Sequence, residues 1–109
     1  MLFERDFLKR QIRALAQLVL KILGSKRRPD DMVQELRRAA SDALGVDAEV
    51  LARVDVATAA SLLGVPERIQ AYAWMLAEEA DLVADPVAAD AARRRSLALF
   101  REAFRRANA

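Results

Sequence analysis

The chain of 109 residues contains neither cysteine nor histidine. Without cysteine it can form no disulfide, no thiolate zinc site and no cysteine nucleophile. Without histidine it lacks the commonest general base near neutral pH and the commonest transition-metal ligand. We therefore expect a protein that is not an enzyme, with no catalytic residues, no cofactor and no metal site.

Long hydrophobic runs are also lacking, and Glu4 and Asp6 near the start are unlike a signal peptide. We therefore expect a cytoplasmic protein without membrane contact. The apolar content of 54% in a chain of this length predicts a single helical domain, residues 1–109, with one core. Abundant alanine, and arginine in excess of lysine, are typical of a GC-rich bacterial source.

Glycine and proline are scarce, with three of each, and all six stand at predicted helix ends. Gly24, Gly45 and Gly64 each follow an apolar periodic run, where a left-handed residue is needed, and Pro29, Pro66 and Pro86 each open the next run. The pattern predicts helices at 2–23, 31–44, 48–53, 56–63, 66–84 and 86–107, with Asp30 or Asp31, Asp47, Asp55 and Asp85 as N-caps. No segment alternates like a strand, so the predicted fold is all-α, a compact helical array of about four long and two short helices.

The first predicted helix is the most apolar segment of the chain. One stripe carries Leu8, Ile12, Leu15, Val19, Ile22 and Leu23, with Phe7, Ala14 and Leu18 on one flank and Ala16 and Leu20 on the other. Because this surface is about twice as wide as the stripe of an ordinary surface helix, at least two neighbours should cover it. We expect this helix to lie between the 31–44 helix and the last two helices.

The other helices each have a predicted inward face. Those residues are Met32, Val33, Leu36, Ala40, Ala43 and Leu44, then Leu51, Val54, Leu62 and Leu63, then Ile69, Tyr72, Ala73, Leu76, Ala80 and Val83, and finally Ala92, Ser96, Leu97, Leu99, Phe100, Ala103 and Phe104. The apolar spacing follows the helical period in each segment. The last set places both aromatic residues of the final helix in the core.

The last two helices resemble a tetratricopeptide-type hairpin. In that family the second helix carries a small residue, an aromatic and an alanine at the spacing of Ser96, Phe100 and Ala103. The resemblance implies a tetratricopeptide-like C-terminal hairpin, although this chain has one such unit where a solenoid needs about three. Taken whole, the chain is similar to a group of uncharacterised small bacterial all-helical proteins through Asp6, Phe7, Leu8, Arg10 and Ile12, which implies a fold and no mechanism.

Charge is unevenly distributed although the net charge is only +2. Residues 1–28 and 91–109 are basic, whereas 29–90 are acidic. One interpretation is that basic end helices complement acidic middle helices over the surface. The other is a basic patch for an anionic partner, with Arg94, Arg95, Arg101 and Arg105 as candidate anion-binding residues.

The segment 59–74 is similar to the helix-turn-helix of excisionase-like DNA-binding proteins, with alanine, glycine and valine at the tight turn. The turn matches, but the reading helix does not. Acidic residues such as Glu67 and Glu78 dominate it, and phosphates would repel them. A small nucleic-acid-binding protein, through this segment or the basic terminal helices, is therefore the alternative function, and nucleic acid is the less expected partner.

Trp74 stands in an otherwise acidic row of its helix, which predicts either a boundary residue or an anchor for another chain. Ala71, Met75 and Leu82 form a second apolar strip beside it, and Phe3 adds further apolar surface. These five are the candidate protein-interaction residues. Spare apolar surface without reactive side chains predicts a non-enzymatic protein–protein interaction or assembly module that binds another protein or itself, as a homodimer.

Overall fold

The computed structural model describes residues 2–25 and 27–109, with side chains from residue 9 onward except at 26. Six helices account for most of this part: α1 Leu2–Leu23, α2 Pro29–Leu44, α3 Ala48–Arg53, α4 Val56–Leu63, α5 Pro66–Leu82 and α6 Pro86–Ala107. The described residues contain no strand. The predicted all-α fold with four long and two short helices is confirmed. Within this described part, no helix combines the length and apolar character needed to span a membrane.

The helix ends follow most of the sequence signals. Gly45 and Gly64 end α2 and α4 with φ of 70° and 88°, a region that glycine enters without steric cost. The Asp47 carboxylate accepts a hydrogen bond from the Glu49 amide at 2.9 Å. In the same way Asp85 caps α6, through the Val87 amide at 3.2 Å.

Two predictions at helix ends are wrong, for Asp30 or Asp31 and for Gly24, and the N-cap predicted at Asp55 is right in position only. Neither Asp30 nor Asp31 caps α2, because that helix already begins at Pro29, and both carboxylates lie in its first turn, where the helix dipole favours negative charge. Asp55 occupies the N-cap position of α4 without bonding a backbone amide, and accepts instead from the Thr58 hydroxyl. Gly24 is not among the glycines with positive φ.

Helix α5 is the centre of the fold. It packs along α6 and against α2, with smaller contacts to α1 and α4. Its buried residues are Ile69, Ala71, Tyr72, Ala73, Met75, Leu76, Glu79 and Ala80. Because these residues span a little more than half of the helix circumference, other helices cover α5 on more than one side, and the side of Gln70 and Asp81 stays exposed.

Small side chains bring α5 and α6 close together. The Ser96 hydroxyl of α6 donates to the Ala73 carbonyl oxygen of α5 at 2.6 Å, and this bond is buried. Ala89 and Ala103, one on each side of Ser96 along α6, are also buried. An alanine or serine at such a contact lets two helix backbones approach closely, and larger side chains must then lie to one side of it.

Two helices contact α1, as predicted, but they do not cover its flanks. Its central stripe is buried at Leu15, Val19 and Ile22, and it packs mainly on α2 with a smaller contact to α5. Leu18 and Leu20, one on each flank, are 43% and 62% exposed. Helix α1 therefore lies at the edge of the described fold.

Candidate interaction surface on helices α5 and α6

Three large apolar side chains of α6 are exposed in one line. Leu97 is 52% exposed, Phe100 38% and Phe104 71%. Their spacing of three and four positions places them on the same side of the helix. We call these three residues the α6 stripe. The prediction that they point into the core is wrong.

The size of the neighbouring residues explains this correction. α6 meets the core through Ala89, Ser96, Leu99 and Ala103, which are all buried. Because the contact with α5 is made by small residues, the bulky aromatic rings cannot fit between the two helices and lie beside the contact. The small residues at a spacing of seven, Ala89, Ser96 and Ala103, were the sequence signal that could have identified this exposed flank.

An ion pair links α5 to the side of α6 that carries the α6 stripe. Arg93 donates from Nη2 to Oδ1 of Asp81 at 3.2 Å, which places these two residues on the same side of the hairpin. Arg93 lies seven positions before Phe100, and Asp81 lies seven positions after Trp74, so each pair shares one side of its helix. Trp74, Asp81, Arg93 and the α6 stripe therefore form one surface, which we call the α5–α6 face.

The two borders of this face carry opposite charge. On the α5 border, Glu67 and Glu78 lie seven positions before and four positions after Trp74, and thus on its side of the helix. On the α6 border stand Arg94 and Arg101, both exposed, together with Asp90, which pairs with Arg94. The surface therefore runs from an acidic border through an apolar centre to a basic border.

The five predicted interaction residues do not form one surface. Phe3 lies outside the described side chains. Ala71 and Met75 are 6% and 1% exposed and belong to the core, so the prediction that they offer free surface is wrong. Leu82 is half-buried and packs against that core, as does Trp74. Of the five, Trp74 alone lies on the α5–α6 face as defined above.

The four predicted anion-binding residues do not converge either. Arg94 Nε pairs with Asp90 Oδ2 at 3.0 Å, and Arg101 and Arg105 are exposed on the same side of α6. Arg95 faces the other way, and its guanidinium donates to the carbonyl oxygens of Leu51 and Val54. It holds the end of α3 against α6, so the prediction that it joins an anion site is wrong.

Arg105 and Arg106 enclose an acidic residue of α6. Both guanidinium groups donate to the Glu102 carboxylate, Arg106 through Nε at 2.9 Å. The hydrogen bonds from Arg105 and then from Arg106 lower the pKa of Glu102 to about 2. The basic cluster at the end of α6 is therefore partly neutralised within the chain.

The helix-turn-helix interpretation requires α5 to be the reading helix. Ile69, Tyr72 and Ala73 of α5 are at most 1% exposed. A recognition helix must enter the major groove with a free face of polar or basic side chains. Because α5 lies at the centre of the fold, segment 59–74 does not offer that geometry.

A network of polar side chains links three helices. Glu79 of α5 is 3% exposed and accepts from Arg37 Nε of α2 at 2.7 Å, while Arg37 Nη1 reaches Glu49 of α3 at 2.9 Å. Burial opposes the charge of Arg37, but the bonds to Glu79 and Glu49 outweigh it and raise its pKa. Burial also raises the pKa of the neighbouring Tyr72. This network stabilises packing, and among the described residues no group of three or more potential ligands could hold a metal ion.

No protein-family model, no curated protein and no solved structure matches this chain. The likeness of α5 and α6 to a tetratricopeptide hairpin therefore stays a prediction from the sequence. Function has to be inferred from the surface that these two helices present.

Proposed function

We propose that this chain is a non-enzymatic protein–protein interaction or assembly module that binds another protein or a second copy of itself through the α5–α6 face. The α6 stripe carries the proposal, because Phe104 is 71% exposed in line with Leu97 and Phe100. Single exposed apolar residues are ordinary, but a contiguous apolar patch with a polar rim marks an interaction site. We also propose that α5 and α6 form a tetratricopeptide-like hairpin.

The composition of the face fits a protein partner. Aromatic and arginine residues are enriched at protein interfaces, and their centres are apolar with a polar rim. The face has aromatic residues at its centre and charges at both borders. Full burial of one phenylalanine or leucine side chain contributes roughly 1.5–3 kcal/mol, so the exposed fractions of three such side chains supply a useful part of a binding free energy.

The same face argues against nucleic acid as the ligand. A phosphate-binding surface needs basic residues across its contact area, whereas Glu67 and Glu78 form one whole border here. The remaining arginines are also divided, because Arg95 points to α3 and Arg105 is paired with Glu102.

A photo-reactive phenylalanine analogue at position 104 tests the proposal. The matched control carries the analogue at position 52, which is exposed on α3. In the cells that produce the protein, we expect irradiation to give a discrete protein adduct from position 104 and none from position 52. The proposal would be contradicted if positions 104 and 52 gave the same adducts, or if position 104 gave no adduct.

A titration with duplex and single-stranded DNA over a salt series tests the alternative. A phosphate binder loses affinity steeply as the salt concentration rises. We expect no saturable binding in low salt. Saturable, steeply salt-dependent binding that is lost in Arg101→Glu would favour the nucleic-acid function instead.

A further inference from the structure

The two charged borders of the α5–α6 face lie at matching levels along the hairpin. The Ser96–Ala73 hydrogen bond places these two residues at one level of the antiparallel pair. Glu67 lies six positions before Ala73, and Arg101 lies five positions after Ser96. At about 1.5 Å per residue, the levels of Glu67 and Arg101 differ by roughly one residue.

Glu78 and Arg94 repeat this relation nearer the α5–α6 turn. Glu78 lies five positions after Ala73, and Arg94 lies two positions before Ser96. Their levels differ by about 4.5 Å along the axis, which long side chains can span. Arg94, however, already pairs with Asp90 on its own border, and Asp90 lies near the level of Glu78. Glu67 and Arg101 are therefore the pair that carries the charge complementarity of the two borders.

A second copy of the same face is complementary to this pattern in one orientation. A two-fold axis parallel to α5 and α6 along the middle of the face keeps every level unchanged and exchanges the two borders. It places the acidic border of each copy against the basic border of the other, with the α6 stripes meeting at the centre. An axis across the helices would instead oppose borders of like charge, which is unfavourable.

We infer that the occupant of the α5–α6 face is a second copy of this chain, with the two hairpins parallel and Glu67 of each copy facing Arg101 of the other. This inference rests on the proposed function, because it uses the same face, and it specifies the partner. An anionic membrane would be attracted by one border and repelled by the other. The second copy satisfies both borders at once.

Two charge reversals, Glu67→Arg and Arg101→Glu, test this arrangement by sedimentation equilibrium of the full chain. Each variant alone opposes two like charges across the dimer, so its dissociation constant should rise on the order of tenfold or more. An equimolar mixture of the two restores both opposite pairs. The mixture should therefore form a heterodimer about as tight as the wild type, and Arg38→Glu on α2, a matched reversal away from the face, should dimerise normally.

Phe104→Ser is a second test of this arrangement. Because Phe104 is largely exposed, this change should leave the circular dichroism spectrum unchanged and weaken the dimer on the order of tenfold. Dissociation by Phe104→Ser together with rescue in the charge-reversed mixture supports the inference. Dissociation without rescue overturns the parallel arrangement, and a wild-type chain that stays monomeric at high micromolar concentration overturns the second copy as occupant.

These failures are distinguishable from failure of the proposed function. Suppose that position 104 gives an adduct with a different protein while the wild-type chain is monomeric. The proposed interaction function would then be supported, and self-association would be excluded. Flotation with vesicles of phosphatidylglycerol and phosphatidylcholine tests the membrane. Binding that requires both phosphatidylglycerol and Phe104 would overturn the second-copy assignment, whereas absence of flotation agrees with it.

Discussion

At the residue scale, the contact between Arg37 and Glu79 links the interior to the surface. Glu79 is almost fully buried, whereas the Arg37 side chain is 37% exposed. A buried carboxylate is tolerated when a cation and hydrogen bonds compensate for its lost hydration. Arg37 supplies both to Glu79 while it also holds Glu49 of α3, so one arginine connects three helices.

Arg37→Met should therefore lower the free energy of unfolding by about 1–3 kcal/mol, because Glu79 loses its partner in the interior. Arg38→Met, at the next and exposed position of α2, should change it by about 0.5 kcal/mol or less. Urea unfolding followed by circular dichroism measures both. Equal midpoints for the two variants would mean that the pair does not stabilise the fold.

Glu102 gives a pH-dependent prediction. Its pKa is lowered from an ordinary 4.5 to about 2 by Arg105 and Arg106, so the native state favours its ionised form. The stability that this provides is present above pH 4.5 and is lost as the pH falls toward 2. Carboxyl NMR titration should show a pKa near 2 that rises in Arg105→Gln, whereas Arg101→Gln should leave it unchanged. An unaltered Glu102 titration in Arg105→Gln would refute this.

At the element scale, helix bounds could be predicted from the sequence and helix surroundings could not. Glycine, proline and capping aspartate act within a few residues of each helix end, so their signals are local. The flank of α6 that stays exposed depends instead on the small residues at its contact with α5. The edge position of α1 likewise depends on which helices cover it. The width of its own apolar surface does not determine which helices those are.

The N-cap of α6 offers a direct test at this scale. Asp85→Ala removes the acceptor of the Val87 amide and should destabilise the protein by about 1 kcal/mol. Asp90→Ala, on the exposed side of the same helix, removes only the surface pair with Arg94 and should cost about 0.5 kcal/mol or less. Thermal unfolding distinguishes them, and an Asp90→Ala variant as unstable as Asp85→Ala would contradict this account of the cap.

At the scale of the whole molecule, the chain is organised around α5 and not around its opening helix. The amphipathic patterns correctly predicted the buried face of α2 and one of the two buried apolar sides of α5. Among the five predicted interaction residues, Trp74 alone lies on the face, because the helical wheel of α5 could not show that the rest of the fold covers both of its apolar sides, Ala71 and Met75 included. The three residues of the α6 stripe were likewise among those that the helical periodicity assigned to the core.

The central position of α5 predicts the order of local stability. Native-state hydrogen exchange should be slowest in α5, which packs against α1, α2, α4 and α6, and fastest in α1, which packs mainly on α2. Mass spectrometry of peptides from residues 9–23 and 66–82 measures this difference. Equal or reversed protection would mean that α5 is not the structural centre.

The emission spectrum of Trp74, the single tryptophan, tests most directly whether the α5–α6 face is the surface that binds. As the protein concentration rises, we expect the emission maximum to move to shorter wavelength, because association removes the ring from water, with a midpoint equal to the dissociation constant from sedimentation. Phe104→Ser should shift that midpoint to higher concentration. Association that leaves the Trp74 spectrum unchanged would contradict this account, because the interface would then lie elsewhere.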